Sequence, residues 1–104
     1  MDPAQIEMLV QRLIADPEDG EALQLAYQAG TYDPTAYAGL LERVGQGSPD
    51  PMLSAHWCNE AAMVWESLGD LAQRNRLLQT AVEKDPSNAP AVERVAQLYR
   101  EVGD

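Results

Sequence analysis

The stretch LGDLAQRNRLLQTAVEKDP, residues 68–86, holds a complete helix between two punctuation marks. Gly69 suits the left-handed residue that ends one helix, and Asp70 suits the cap that starts the next. Leu71, Leu77, Leu78, Ala81 and Val82 then recur at helical spacing and form one apolar face. Asp85-Pro86 closes the segment, because proline cannot continue a helix.

The same punctuation extends outward in both directions. Asp2-Pro3, Asp33-Pro34 and Asp50-Pro51 each set an acidic cap before a proline suited to the first helical position. Asn88 is a further cap, and Gly30, Gly45 and Gly103 stand where helices are expected to stop. Between these marks the apolar residues keep a helical period. One face is Ile6, Leu9, Val10, Leu13 and Ile14; another is Ala61, Ala62, Trp65 and Leu68; a third is Val92, Val95, Ala96, Tyr99 and Val102. No segment sustains a two-residue alternation. The pattern predicts an all-α chain of about six helices, over 3–15, 19–29, 34–45, 51–68, 71–85 and 89–102. Short connections favour antiparallel neighbours. The longest break, GQGSPDP at 45–51, reads as a loop within one domain covering 1–104.

Composition narrows the function classes. With 104 residues and 45% hydrophobic content the chain can bury a small core. The net charge is -10, and it is uneven: residues 1–50 carry nine acids against two arginines, residues 51–104 eight acids against five bases. Such a field repels phosphate backbones and anionic lipid, and it favours solubility or a basic protein partner. The single cysteine, Cys58, forms no internal disulfide. No signal peptide and no membrane-spanning run are visible, so the cytoplasm is the default location. The excess of Arg over Lys and the abundance of Ala fit a GC-rich bacterial coding sequence.

A spacing of 34 residues separates Gly69-Asp70 from Gly103-Asp104. That is the period of tetratricopeptide repeats, whose motif is Trp-x2-Leu-Gly-x2-Tyr, then Ala-x3-Phe and a closing Pro. Counted from the Gly-Asp turn, Cys58 falls in the Trp slot, Ala61-Ala62 in the Leu-Gly slots and Trp65 in the Tyr slot. Leu78 takes the Phe slot, Ala81 a small-residue slot and Pro86 the terminator. Val92, Val95-Ala96 and Tyr99 begin the next unit. Residues 55–104 therefore resemble one and a half tetratricopeptide repeats. Arg74 departs from the pattern, standing where the motif has a small Ala; a long side chain there should widen the helix spacing or snorkel outward along its stem. Residues 1–54 resemble a degenerate version, with QAGTY (28–32) as an early inter-helix turn and the loop at 45–51 as the compensating insertion. Helix 3–15 reads as the second half of a unit, and the last helix as the first half of another. The chain is then either a slice through a repeat array or a small array with half-unit caps.

The resemblance implies helix hairpins stacked in a right-handed superhelix, with a peptide or protein segment held on the concave side. The residues it places there are Gln24 and Gln28 from helix 19–29, then His56, Asn59, Met63 and Glu66 from helix 51–68. Glu93, Gln97 and Arg100 come from the last helix. Asn and Gln suit an extended backbone, and Met63 an adaptable apolar contact. The expected partner is a neutral or basic segment of another protein. An acidic C-terminal peptide is disfavoured, because the groove would offer only Arg94 or Arg100 as cations among several acids. The rival expectation is an assembly element or homo-oligomer, joined through Val95, Leu98, Tyr99 and Val102 on the last helix.

Catalysis and metal binding find little purchase. In His56-Trp57-Cys58 the imidazole and thiol lie two residues apart, about 200° around a helix, and cannot easily meet. No second His or Cys completes a metal site. Cys58 reads as a buried inert thiol, and His56 as a groove residue or an ordinary solvated side chain. Glu18-Asp19 and Glu83-Asp85 read as helix-terminus and loop acids. No phosphate-binding loop, nucleophile elbow or His-Glu-x-x-His is present. A non-catalytic chain without cofactor or metal is expected.

Overall fold

The computed structural model describes residues 2–101, without the side chains of Ala89, Pro90 and Tyr99. Six helices occupy them: α1 (Pro3–Ala15), α2 (Gly20–Tyr32), α3 (Pro34–Gly47), α4 (Pro51–Ser67), α5 (Leu71–Lys84) and α6 (Ala89–Glu101). The fold is all-α, and no strand occurs among the described residues. Every helix begins on a side chain that accepts a backbone N–H. Asp2 accepts from Gln5 at 2.9 Å, and the Gln5 side chain answers from the other direction, completing a capping box. Asp19 accepts from Ala22, Asp33 from Ala36, Asp50 from Met52, Asp70 from Gln73 and Asn88 from Ala91, at 2.9–3.1 Å. Each such cap stabilises its helix by about 1 kcal/mol.

The glycines divide into two kinds. Gly69 adopts φ 80° and ends α4. Its N–H reaches the Glu66 carbonyl and the Asp70 N–H reaches the Trp65 carbonyl, both at 3.0 Å, the paired bonds of a Schellman turn. Gly30 and Gly45 do not stop their helices. Each lies inside one, at a place where a close neighbour leaves no room for a side chain. A Cβ on Gly30 would stand 2.8 Å from the Tyr37 ring, and one on Gly45 3.2 Å from the Ser54 carbonyl and Trp57 Cβ. Consequently α2 runs through 28–32, where a turn is expected from sequence. It ends at Asp33, which donates its N–H to Ala29 and caps α3 with its carboxylate. The turn expected at Gly103-Asp104 and the apolar Val102 lie outside the described residues.

The odd-numbered helices share one burial pattern measured from their caps. Seven, eight and eleven residues after Asp2 come Leu9, Val10 and Leu13. The same steps from Asp33 reach Leu40, Leu41 and Val44, and from Asp70 they reach Leu77, Leu78 and Ala81. All nine are at most 3% exposed. The even-numbered helices meet them mostly with small residues, Ala22 and Ala26 from α2, Ala55, Ala61 and Ala62 from α4 and Ala91 from α6, beside the larger Trp57 and Cys58 of α4. Small residues let helix axes approach, so long aliphatic side chains of one helix fill the space above its neighbour. Ion pairs tie the odd helices edge to edge. Arg43 of α3 meets Glu7 of α1, and Arg76 of α5 grips both oxygens of Glu42 on α3 at 2.8 and 3.0 Å. The molecule measures 44 × 28 × 18 Å.

Candidate functional site

The longest helix, α4, presents one flank to α2 and the other to α6, and a cleft opens on each side. The α4/α6 cleft, of about 500 Å³, is lined by Asn59, Ala62, Met63 and Glu66 of α4, Arg74 and Leu78 of α5, and Arg94 of α6. The α2/α4 cleft, of about 420 Å³, is lined by Leu23 of α2, Tyr37 and Leu41 of α3, and Leu53, His56, Trp57 and Glu60 of α4, together with Glu18 from the α1–α2 connection. The floors correspond. Tyr37 and Leu41 follow Asp33 by four and eight residues, as Arg74 and Leu78 follow Asp70. One repeated position therefore carries an aromatic ring in one cleft and a cation in the other.

Charge is resolved differently in the two clefts. Arg74 is only 9% exposed. Rather than standing clear in solvent, its head turns to Glu66, with Nη1 3.8 Å from the carboxylate, and Nε donates to the Asn75 side chain at 3.1 Å. Arg94 pairs with the same Glu66. Two guanidinium groups thus share one carboxylate, and a buried cation keeps a partner, as burial demands. In the α2/α4 cleft, neither Glu18 nor Glu60 takes part in any ion pair among the described residues. Burial raises the Tyr37 hydroxyl above its ordinary pKa, and the nearby Glu60 charge pushes the same way.

The residues assigned to a groove from sequence distribute unequally. Asn59, Met63 and Glu66 come together in the α4/α6 cleft. His56 is exposed at the α2/α4 cleft, its ring edge-on to Trp57 with centroids 5.4 Å apart. Gln24, Gln28, Glu93, Gln97 and Arg100 are solvent-exposed and line neither cleft. Arg74, read from sequence as a packing irregularity, is the cation that joins Arg94 there in place of Arg100. Tyr37, Trp57 and Glu60 escape the sequence reading; the signal that marks Tyr37 is its four-residue distance from a cap.

Cys58 is 2% exposed, and burial raises its thiol above the ordinary value, with the Glu42 charge adding to the effect. No group of three or more His, Cys, Asp or Glu side chains among the described residues is placed to hold a metal ion. No helix among the described residues is long and apolar enough to cross a membrane. On α6, Val95 and Leu98 are half-buried against the core rather than free, Val92 is exposed, and the Tyr99 side chain of the expected assembly face lies outside what is described. No protein-family profile matches the chain, and comparisons with characterised proteins and with solved structures find no match.

Proposed function

We propose that this chain is a non-catalytic protein-interaction module of tetratricopeptide type, holding a neutral or basic segment of another protein against α2, α4 and α6. The observation that carries this reading is the pair of clefts flanking α4, each floored by the same cap-relative positions of α3 or α5. Consecutive recesses along one side suit an extended segment, whose side chains enter alternate pockets while its backbone meets polar groups such as Asn59. Met63 at 58% exposure supplies a contact that adapts to different apolar side chains. The buried, raised thiol of Cys58 speaks against nucleophilic chemistry, since a thiolate is the reactive form.

A displayed library of random twelve-residue peptides tests the reading. The wild-type domain is expected to enrich one family of sequences, and Asn59→Ala/Met63→Ala to lose that enrichment at an unchanged Tm. No enrichment, or enrichment indifferent to the double substitution, refutes it.

Self-association is a second reading, favoured by one feature. Helix α2 gives the core only Ala22 and Ala26 and leaves Leu23, Leu25, Tyr27 and Tyr32 exposed, Tyr32 at 91%. Light scattering separates the two readings: a mass that rises with concentration supports assembly, and a constant monomer mass refutes it.

A further inference from the structure

Resting on that docking reading, we infer that the α2/α4 cleft is the anchor for a basic side chain of the bound segment, an Arg or Lys flanked by apolar residues. The cleft is built in two parts. Its walls are apolar and aromatic: Leu23, Leu41 and Leu53 with Tyr37 and Trp57. Its charged members are two carboxylates, Glu18 from the α1–α2 connection and Glu60 from α4. Arg and Lys have this same division, an aliphatic stem and a charged head, and they bury the stem along apolar surface while the head stays near water. The Tyr37 ring adds a π-system beside which a cation is favoured.

Charge complementarity selects the occupant. Five arginines, Arg12, Arg43, Arg74, Arg76 and Arg94, are committed to carboxylates within the fold. Glu18 and Glu60 receive none of them, although the chain as a whole carries -10. Glu60 lines the same cleft as Tyr37 and Trp57, so its carboxylate belongs to the aromatic recess itself. A negatively charged segment would meet two uncompensated carboxylates there. A neutral one would fill the walls and leave the carboxylates as they are. The opposite flank of α4 lacks this vacancy for charge, because Arg74 and Arg94 already hold Glu66.

The test uses three blocked pentapeptides, Ac-Ala-Leu-X-Leu-Ala-amide, with X as Arg, Gln or Glu, titrated into the isotopically labelled chain and followed by NMR. The Arg peptide is expected to move the His56, Trp57 and Glu60 signals and to bind about five-fold tighter than the Gln peptide, the range expected for partly exposed charge pairs. The Glu peptide should bind more weakly still. In Glu18→Gln/Glu60→Gln the Arg and Gln peptides should become equal; neither side chain carries an ion pair, so the variant keeps the fold. Equal binding of Arg and Gln peptides to the wild type overturns the basic anchor and leaves the docking reading standing. Movement confined to Asn59, Met63 and Arg94 overturns its placement. If no peptide moves any signal, the anchor is refuted, and the library selection decides the docking reading separately.

Discussion

The two clefts beside α4 are floored by the same two cap-relative positions, and the residue at one of these differs. Four residues past the cap of α3 stands Tyr37; four residues past the cap of α5 stands Arg74. The consequence spreads to their surroundings. A cation on the floor of the α4/α6 cleft calls for a carboxylate, and Glu66 supplies it while also meeting Arg94, so the carboxylate lining that cleft is already engaged. A tyrosine at the matching place makes no such demand, and Glu60 stays unpaired. The residue at that repeated position thus goes with a recess whose carboxylate is engaged on one flank and, among the described residues, with carboxylates free of ion pairs on the other.

The largest expected effect concerns what holds each cleft. Trp57 is 5% exposed and belongs to the core, whereas Met63 is 58% exposed and belongs only to the surface. Trp57→Ala should lose about 3–5 kcal/mol by urea denaturation, and Met63→Ala less than about 0.5 kcal/mol. Trp57→Phe should fall well below the alanine loss, because the indole N–H is buried without a hydrogen-bond partner. Similar losses for Trp57→Ala and Met63→Ala would erase the distinction between a structural wall and an adaptable one.

The glycines sharpen the same contrast. Gly30→Ala drives a methyl into the Tyr37 ring and should cost about 1–3 kcal/mol despite the better helix propensity of alanine. Gly69→Ala meets no atom within 4 Å, and its cost of about 1–2 kcal/mol is that of the left-handed backbone alone. Tyr37 fluorescence should change in the first variant and hold in the second.

These glycines also show where sequence reasoning reached and where it stopped. Caps and apolar periodicity were sufficient to place all six helices, because both act within a turn or two of chain. Whether a glycine ends a helix or admits a neighbour depends on how the next helix packs against it, through Tyr37 for Gly30 and Trp57 for Gly45. Periodicity alone does not carry that information. The site followed the same rule. Asn59, Met63 and Glu66 share one helix face and were legible together, whereas the pairing of Arg74 and Arg94 with Glu66 spans three helices and was not.

A smaller effect tests the α4/α6 cleft. The wild-type chain should hold a peptide ending in an acidic free carboxyl terminus no more tightly than about 1 mM. Glu66→Gln frees both guanidinium groups and should improve that binding about ten-fold, the range of a hydrogen-bonded charge pair. Micromolar binding by the wild type would contradict the claim that Glu66 occupies these cations.

The smallest effect lies at the α1/α2 junction. The Ala22 N–H and the Arg12 guanidinium hold the Asp19 carboxyl below its ordinary pKa. Its contribution is therefore complete above the unfolded value, about 4, and fades as pH falls through the lower folded value. Asn is an equally good cap. Asp19→Asn should thus flatten the acid limb of stability below about pH 4, read from urea midpoints, and an unchanged slope would contradict the assignment.

The central claim is that a partner segment lies along α2, α4 and α6. A crystal structure of the chain with a peptide selected from the displayed library tests it most directly. The account predicts an extended peptide crossing both clefts, with a basic side chain between Tyr37 and Glu60 and its backbone against Asn59. A peptide seated instead on the outer face of α1, α3 and α5, across the Arg43–Glu7 and Arg76–Glu42 pairs, would contradict it.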